Sequence, residues 1–266
     1  MKFDYGTQLS PYPIKLSIGT LRKPKLQNIA EELSFDKFGY YEFLMKMSPK
    51  TFYCELKGDE GKTYWESLSI EEQENITLYS LVLKEEPLKK SYVEIFDFFF
   101  IEKVIFQEGY FVLLNNGVEL NNDRTLQQED IRGVISENIF MQVLNAIQQI
   151  CCIAEKDENV DNIKFKNKLA KQLYLKMQRA AKKEAEKKKG DPDFTIPNII
   201  SSVSNKHETI SPINVWQLTI FQLLDSFSRL QANTMFDIDS TRVSVWGDEK
   251  KTFNAALWYK NNYDKN

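Results

Sequence analysis

Along this chain, apolar residues recur three or four positions apart over several stretches and alternate with polar ones over a few shorter stretches. In "ENIFMQVLNAIQQICCI", Ile139, Val143, Ile147 and Ile150 mark one face of an amphipathic helix, with Ser136 placed as its N-cap. A second stripe runs through "SPINVWQLTIFQLLDSFSRLQ". There Trp216, Ile220, Leu223, Leu224, Phe227 and Leu230 share a side, Ile213 stands at the head, Ser211 is the expected N-cap and Pro212 opens the first turn.

From Ser69 to about Phe99 glycine and proline are nearly absent, which predicts one or two helices broken near Pro87, with "YVEIFDFFF" buried. "FGYYEFLMKM" is too dense in large apolar groups to be a loop, and "KPKLQNIAEEL" has a helical opening with Pro24 near its start.

Alternation points to strands. Ile14, Leu16 and Ile18 in "YPIKLSIGTL" suit a short half-buried strand. In "EKVIFQEGYFVLLNNGVEL", two β-branched or aromatic runs flank Glu108-Gly109, which predicts a hairpin or small sheet. "TRVSVWG" also alternates, as a short strand or extended turn would, and "FNAALWYKNN" reads as a closing short helix that brings Trp258 and Tyr259 back to the body. The fold class expected is mainly α with a small β-hairpin or sheet (α+β). Residues 1–135 form a mixed α+β N-terminal region, and residues 136–266 form a helical C-terminal region with a basic helix at about 162–189.

That basic stretch is where charge changes the picture. Phe165, Leu169, Leu173, Leu175 and Met177 give it an apolar side, but from Ala180 onward it is Ala, Lys and Glu until Gly190-Asp191-Pro192 stops it. Residues 164–190 hold 11 Lys and Arg against 2 Glu, a local charge of +9, so the rest of the chain carries −12 of the overall −3. A basic arm on an acidic body attracts polyanions, acidic protein surfaces or a second copy through the same field. Aromatic residues are not interleaved with Lys182 to Lys189, which disfavours base recognition and nucleic acid as the partner.

At 266 residues, with 42% apolar and 13% aromatic residues, the chain can build a sizeable core. No run approaches the roughly 20 apolar residues of a membrane span, and "MKFDYGTQLSPYP" lacks the apolar heart of a secretory signal, so a cytoplasmic protein with reduced thiols is expected. Cys151 and Cys152 are adjacent and Cys54 is distant, which makes neither a disulfide framework nor a spaced metal pair. With one His, His207, no nucleophile elbow and no phosphate-cradling glycine loop, no catalytic residue, metal or cofactor is assigned, and the chain reads as a non-enzyme. Asp237-Ile238-Asp239-Ser240-Thr241 has the D-x-D-x-T form of aspartyl-phosphate phosphohydrolases. That chemistry requires the first Asp at the end of a buried strand, whereas "RLQANTM" precedes it here, so a helix end and turn is the preferred reading.

"INVWQLTIFQLLDSFSRLQ", "TRVSVWGD" and the closing "LWYKN" together resemble the C-terminal part of small tail-morphogenesis proteins encoded beside the tape-measure gene in tailed phages of Gram-positive bacteria. "YPIKLSIGTLRKPKLQNIA" and "ENIFMQVLNAIQQI" resemble the opening strand and mid-chain helix of the same group. The resemblance rests on pattern, and this chain is longer than many members. It implies a tail assembly chaperone that coats the apolar helix of a tape measure in the host cytoplasm. A virion tail or baseplate component, or a nucleic-acid-binding accessory protein using the basic helix, are the alternatives. It also implies a protein-binding surface, for which Lys182, Lys183, Lys187, Lys188, Lys189, Trp216, Phe221, Trp246 and Trp258 are the candidates, with self-association possible through the basic arm.

Overall fold

The computed structural model describes residues 1–115, 117–118, 126–153, 193–248 and 252–259. The basic stretch and its five candidate lysines lie outside these residues. The described chain is mainly α with two small antiparallel sheets.

The alternating Ile14, Leu16 and Ile18 are half-buried as expected, but the strand is short. β1 (Ile14–Lys15) turns back at once, Leu16 N donating to Gly19 O, and pairs with β2 (Thr20–Leu21). Leu26–Asn28 then begins a helical segment that widens over Ile29–Leu33, and the aromatic "FGYYEFLMK" lies in a helix spanning Phe35–Lys46. The stretch after Ser69 divides into three helices, Ile70–Asn75, Leu78–Lys84 and Glu86–Phe99. Its last break, at Glu85, falls near Pro87 as expected, and Pro87 itself sits in the first turn of the third helix. Proline is tolerated there because the first-turn N–H groups have no partner within the helix.

The second sheet has strand order β3-β4-β5, with β3 (Val104–Gln107), β4 (Tyr110–Leu114) and β5 (Ile131–Ile135). β3 and β4 are the expected hairpin: Glu108 (φ 51°) and Gly109 (φ 86°) both turn left-handed, the geometry a two-residue hairpin loop needs. β5 was not foreseen, because Gly133 interrupts "IRGVI". The glycine is there because a side chain at that position would run into the Ile18 backbone, where the turn of the first hairpin lies against the strand.

Aromatic rings join these elements. The Phe140 ring lies 5.1 Å from Tyr79, 5.4 Å from Tyr92, 5.8 Å from Phe96 and 6.1 Å from Phe111. The hydroxyls are satisfied as they enter the interior: Tyr79 donates to Gly109 O (2.6 Å) and Tyr92 to Leu44 O (2.8 Å). The helix Glu137–Ile150 lays Phe140, Val143, Leu144, Ile147 and Ile150 onto this cluster, and the same hydrophobic core continues to Val215, Ile220 and Leu223. Ser136 occupies the N-cap position, although its contribution is the backbone carbonyl, which accepts from Ile139 N and Phe140 N, and not the side chain.

Candidate partner surface

The last long helix departs most from expectation. It begins at Ile220, not after Ser211, and runs to Trp246 as one helix of 27 residues, about 40 Å at 1.5 Å per residue. Its start is fixed by a reciprocal cap: Thr219 Oγ1 accepts from Gln222 N (3.2 Å), and Gln222 Oε1 accepts from Thr219 N (3.0 Å). Ser211 instead closes a separate turn, accepting from Ile213 N and Asn214 N, and Ile213 is 87% exposed rather than at the head of an apolar stripe. "TRVSVW" is the end of the helix and not a strand.

The root of this helix is tied to the N-terminal region. Leu26 N donates to Leu218 O (2.8 Å), Lys25 pairs with Thr219 in a β-bridge, and the Tyr5 and Phe221 rings lie 5.9 Å apart. Its buried residues are Ile220, Phe221, Leu223 and Asp225, all in the first two turns. The helix Ile196–Lys206 packs alongside, burying Ile199, Ile200 and Val203, and Lys206 Nζ reaches Thr234 Oγ1 at 2.9 Å. Beyond that point no described residue of the long helix is buried.

The distal half is not uniformly polar. Met235, Ile238, Val245 and Trp246 are 52%, 57%, 64% and 77% exposed. Gln231, Met235, Ile238, Arg242 and Val245 follow each other at alternate spacings of four and three, so they form one stripe along the helix. The chain that follows partly covers the opposite side and touches the stripe at Arg242, whose Nη2 reaches Thr252 Oγ1 at 3.5 Å. Asp248 accepts from Thr252 N and Phe253 N (both 2.9 Å), Phe253 approaches Phe236, and Trp258 closes a shallow cleft with Asn233, Phe236 and Asp237. Trp258 and Tyr259 thus return to the long helix, yet both stay more than half exposed.

The four aromatic candidates therefore separate. Phe221 is 1% exposed in the core at the helix root. Trp216 is half-buried, its indole N–H donating to Pro212 O (3.0 Å) and its ring 6.5 Å from Phe35. Trp246 and Trp258 stand on the distal, open part. Met235, Ile238 and Val245 were missed by sequence reading, which ended the apolar stripe at Leu230 and took the next residues for a turn and a strand.

Other chemistry is sparse. The D-x-D-x-T residues Asp237 to Thr241 lie inside the helix, without the strand that motif requires. His207 Nδ1 accepts from Thr209 N and Ile210 N (both 3.2 Å), a turn-closing role. All three cysteines are free; burial pushes the Cys151 thiol well up and the Cys152 thiol up to about 12, so both stay protonated and weakly nucleophilic at neutral pH. Among the described residues no cluster of His, Cys, Asp and Glu is set to hold a metal ion, and no helix is long and apolar enough to cross a membrane.

The molecule is thus a mainly helical α+β protein carrying an anchored helix with an open apolar stripe. Residues 181–263, just under a third of the chain, match the model of the family described as YomV second domain. That family comes from a Bacillus prophage, and the match suggests a phage origin for this chain. No curated protein and no solved structure matches it.

Proposed function

We propose that this protein is a non-enzymatic phage tail-morphogenesis factor, a tail assembly chaperone that binds apolar helical segments of a tape-measure-like protein. The observation carrying this reading is the distal half of the Ile220–Trp246 helix, where Met235, Ile238, Val245 and Trp246 are exposed along a helix rooted in the core at its other end. A rigid helix with apolar residues at spacings of three and four is the complement of another amphipathic or apolar helix. The prophage family match falls on this part of the chain and supports the phage origin on which the reading rests.

The lysines from Lys182 to Lys189 lie within the matched residues too and supply a positive counterpart for acidic positions on such a partner. Co-expression with the tape-measure protein of the encoding phage tests the proposal. The tape measure stays soluble and co-purifies with the parent chain, and precipitates with an Ile238→Asp, Val245→Asp chain. A tape measure equally soluble with parent, variant or neither contradicts it.

A further inference from the structure

We propose that two copies of this protein pair antiparallel through the distal stripe of the Ile220–Trp246 helix, so that in the absence of a partner the occupant of the stripe is a second copy of the chain. The inference goes beyond the tape-measure reading and does not need it.

The stripe has the spacing of a two-helix seam. With Met235 and Arg242 as one class of position and Gln231, Ile238 and Val245 as the other, it continues over about two heptads. Arg242 is the one charge within it, and a polar residue at such a position fixes register and orientation. In a parallel pair like positions meet, which sets Arg242 against Arg242 in the middle of the contact. In an antiparallel pair the two classes meet across the seam. Met235 then packs on Val245 of the other copy, at both ends, and Arg242 packs on Ile238 beside Asp239.

Asp239 already holds Arg242 within its own helix at 3.3 Å. The antiparallel register brings two such pairs together, so two guanidinium groups share two carboxylates and no like charges are left facing in the seam. Trp246 flanks the Met235 layer at each end and adds apolar surface where Val245 alone is small. The Phe236 side is occupied by Phe253 and Trp258 of the same chain, and Arg242 Nη2 reaches Thr252 Oγ1 (3.5 Å) at the border of the stripe, so the pairing surface is the open side that carries Met235, Ile238 and Val245.

Light scattering of the purified full-length chain, with no partner protein present, reads the outcome. A mass of twice 31.2 kDa is expected for the parent and a single chain mass for Ile238→Asp, whose circular dichroism stays that of the parent because Ile238 is 57% exposed. Register is tested by mixing a Met235→Cys chain with a mass-tagged Val245→Cys chain under mild oxidation, with the parent as control for Cys54, Cys151 and Cys152. A mixed disulfide dimer is expected, with neither variant linking to itself above the control. A monomeric parent, a dimer that survives Ile238→Asp, or self-linking of Met235→Cys would each overturn the proposal. None of these outcomes involves the tape measure, so the two proposals stand or fall separately.

Discussion

The ring of Phe253 lies 5.7 Å from that of Phe236, and this contact, with Arg242 Nη2 on Thr252 Oγ1 (3.5 Å), holds residues 252–259 against the long helix while Met235, Ile238 and Val245 stay exposed. Asp248 anchors the return. Its carboxylate accepts from the amides of Thr252 and Phe253, which hold it below the usual carboxylate value of 3.8. A folded-state pKa below the unfolded one means the tie is fully present above 3.8 and is lost only as pH falls through the lower folded value. Quenching of tryptophan fluorescence by acrylamide is therefore expected to be flat from neutral pH to about the unperturbed Asp value and to rise below it. Asp248→Ala is expected to show the raised quenching already at pH 7, with the melting temperature of the body unchanged.

The reciprocal cap formed by Thr219 and Gln222 sets where the long helix begins. Thr219 is 2% exposed, so Thr219→Ala loses a helix cap in a dry place and is expected to cost about 1–2 kcal/mol in a urea titration. Ser211→Ala removes only an exposed turn contact and is expected to cost about 0.5 kcal/mol or less. Equal costs at the two positions would contradict this start.

Phe140 is the residue on which helix, sheet and the Glu86–Phe99 helix converge, and it is fully buried. Phe140→Ala is expected to cost about 3–5 kcal/mol, enough to leave many small domains only partly folded at 25 °C. Denaturant unfolding of the variant checks this, and a loss under about 1 kcal/mol would mean that the cluster is not the centre of the core.

Elements whose local chemistry and tertiary setting agree were legible from sequence. The Glu108-Gly109 hairpin was read from its turn residues, and the helix Glu137–Ile150 from a stripe that does become its buried face. The long helix was not legible at either end. Ser211-Pro212 has the form of a helix start but closes a separate turn, and the true start needed the Leu218 and Thr219 backbone contacts with Leu26 and Lys25. At its far end the β-branched alternation of "TRVSV" mimicked a strand. Within the helix the two hydroxyls turn back onto the preceding turn and are satisfied there: Thr241 donates to Asp237 O (2.8 Å) and Ser244 to Ser240 O (2.8 Å). That one misreading also hid the candidate surface, since Met235, Ile238 and Val245 form a stripe only if the helix is continuous. Trp246 and Trp258 are candidates on the resemblance alone, and Met235, Ile238 and Val245 are not among the positions it implies.

The basic run adds a separate electrostatic expectation. Replacing Lys182, Lys183, Lys187, Lys188 and Lys189 with Gln is expected to leave the melting temperature nearly unchanged and to weaken partner binding at low salt. At high salt, where screening shortens the reach of charge to a few ångströms, the difference from the parent should vanish. A variant that unfolds would make the run structural instead.

The most direct measurement of the partner reading is calorimetric titration of the parent and of the Ile238→Asp chain with an apolar helical segment of the tape-measure protein, each at the same protein concentration and moderate salt. The parent is expected to bind with a negative heat-capacity change, the mark of apolar burial, and Ile238→Asp to lose about tenfold or more in affinity, the scale of one apolar contact replaced by a buried charge. Binding of equal strength to both chains, or to neither, would contradict the assignment of the distal helix stripe as the partner surface.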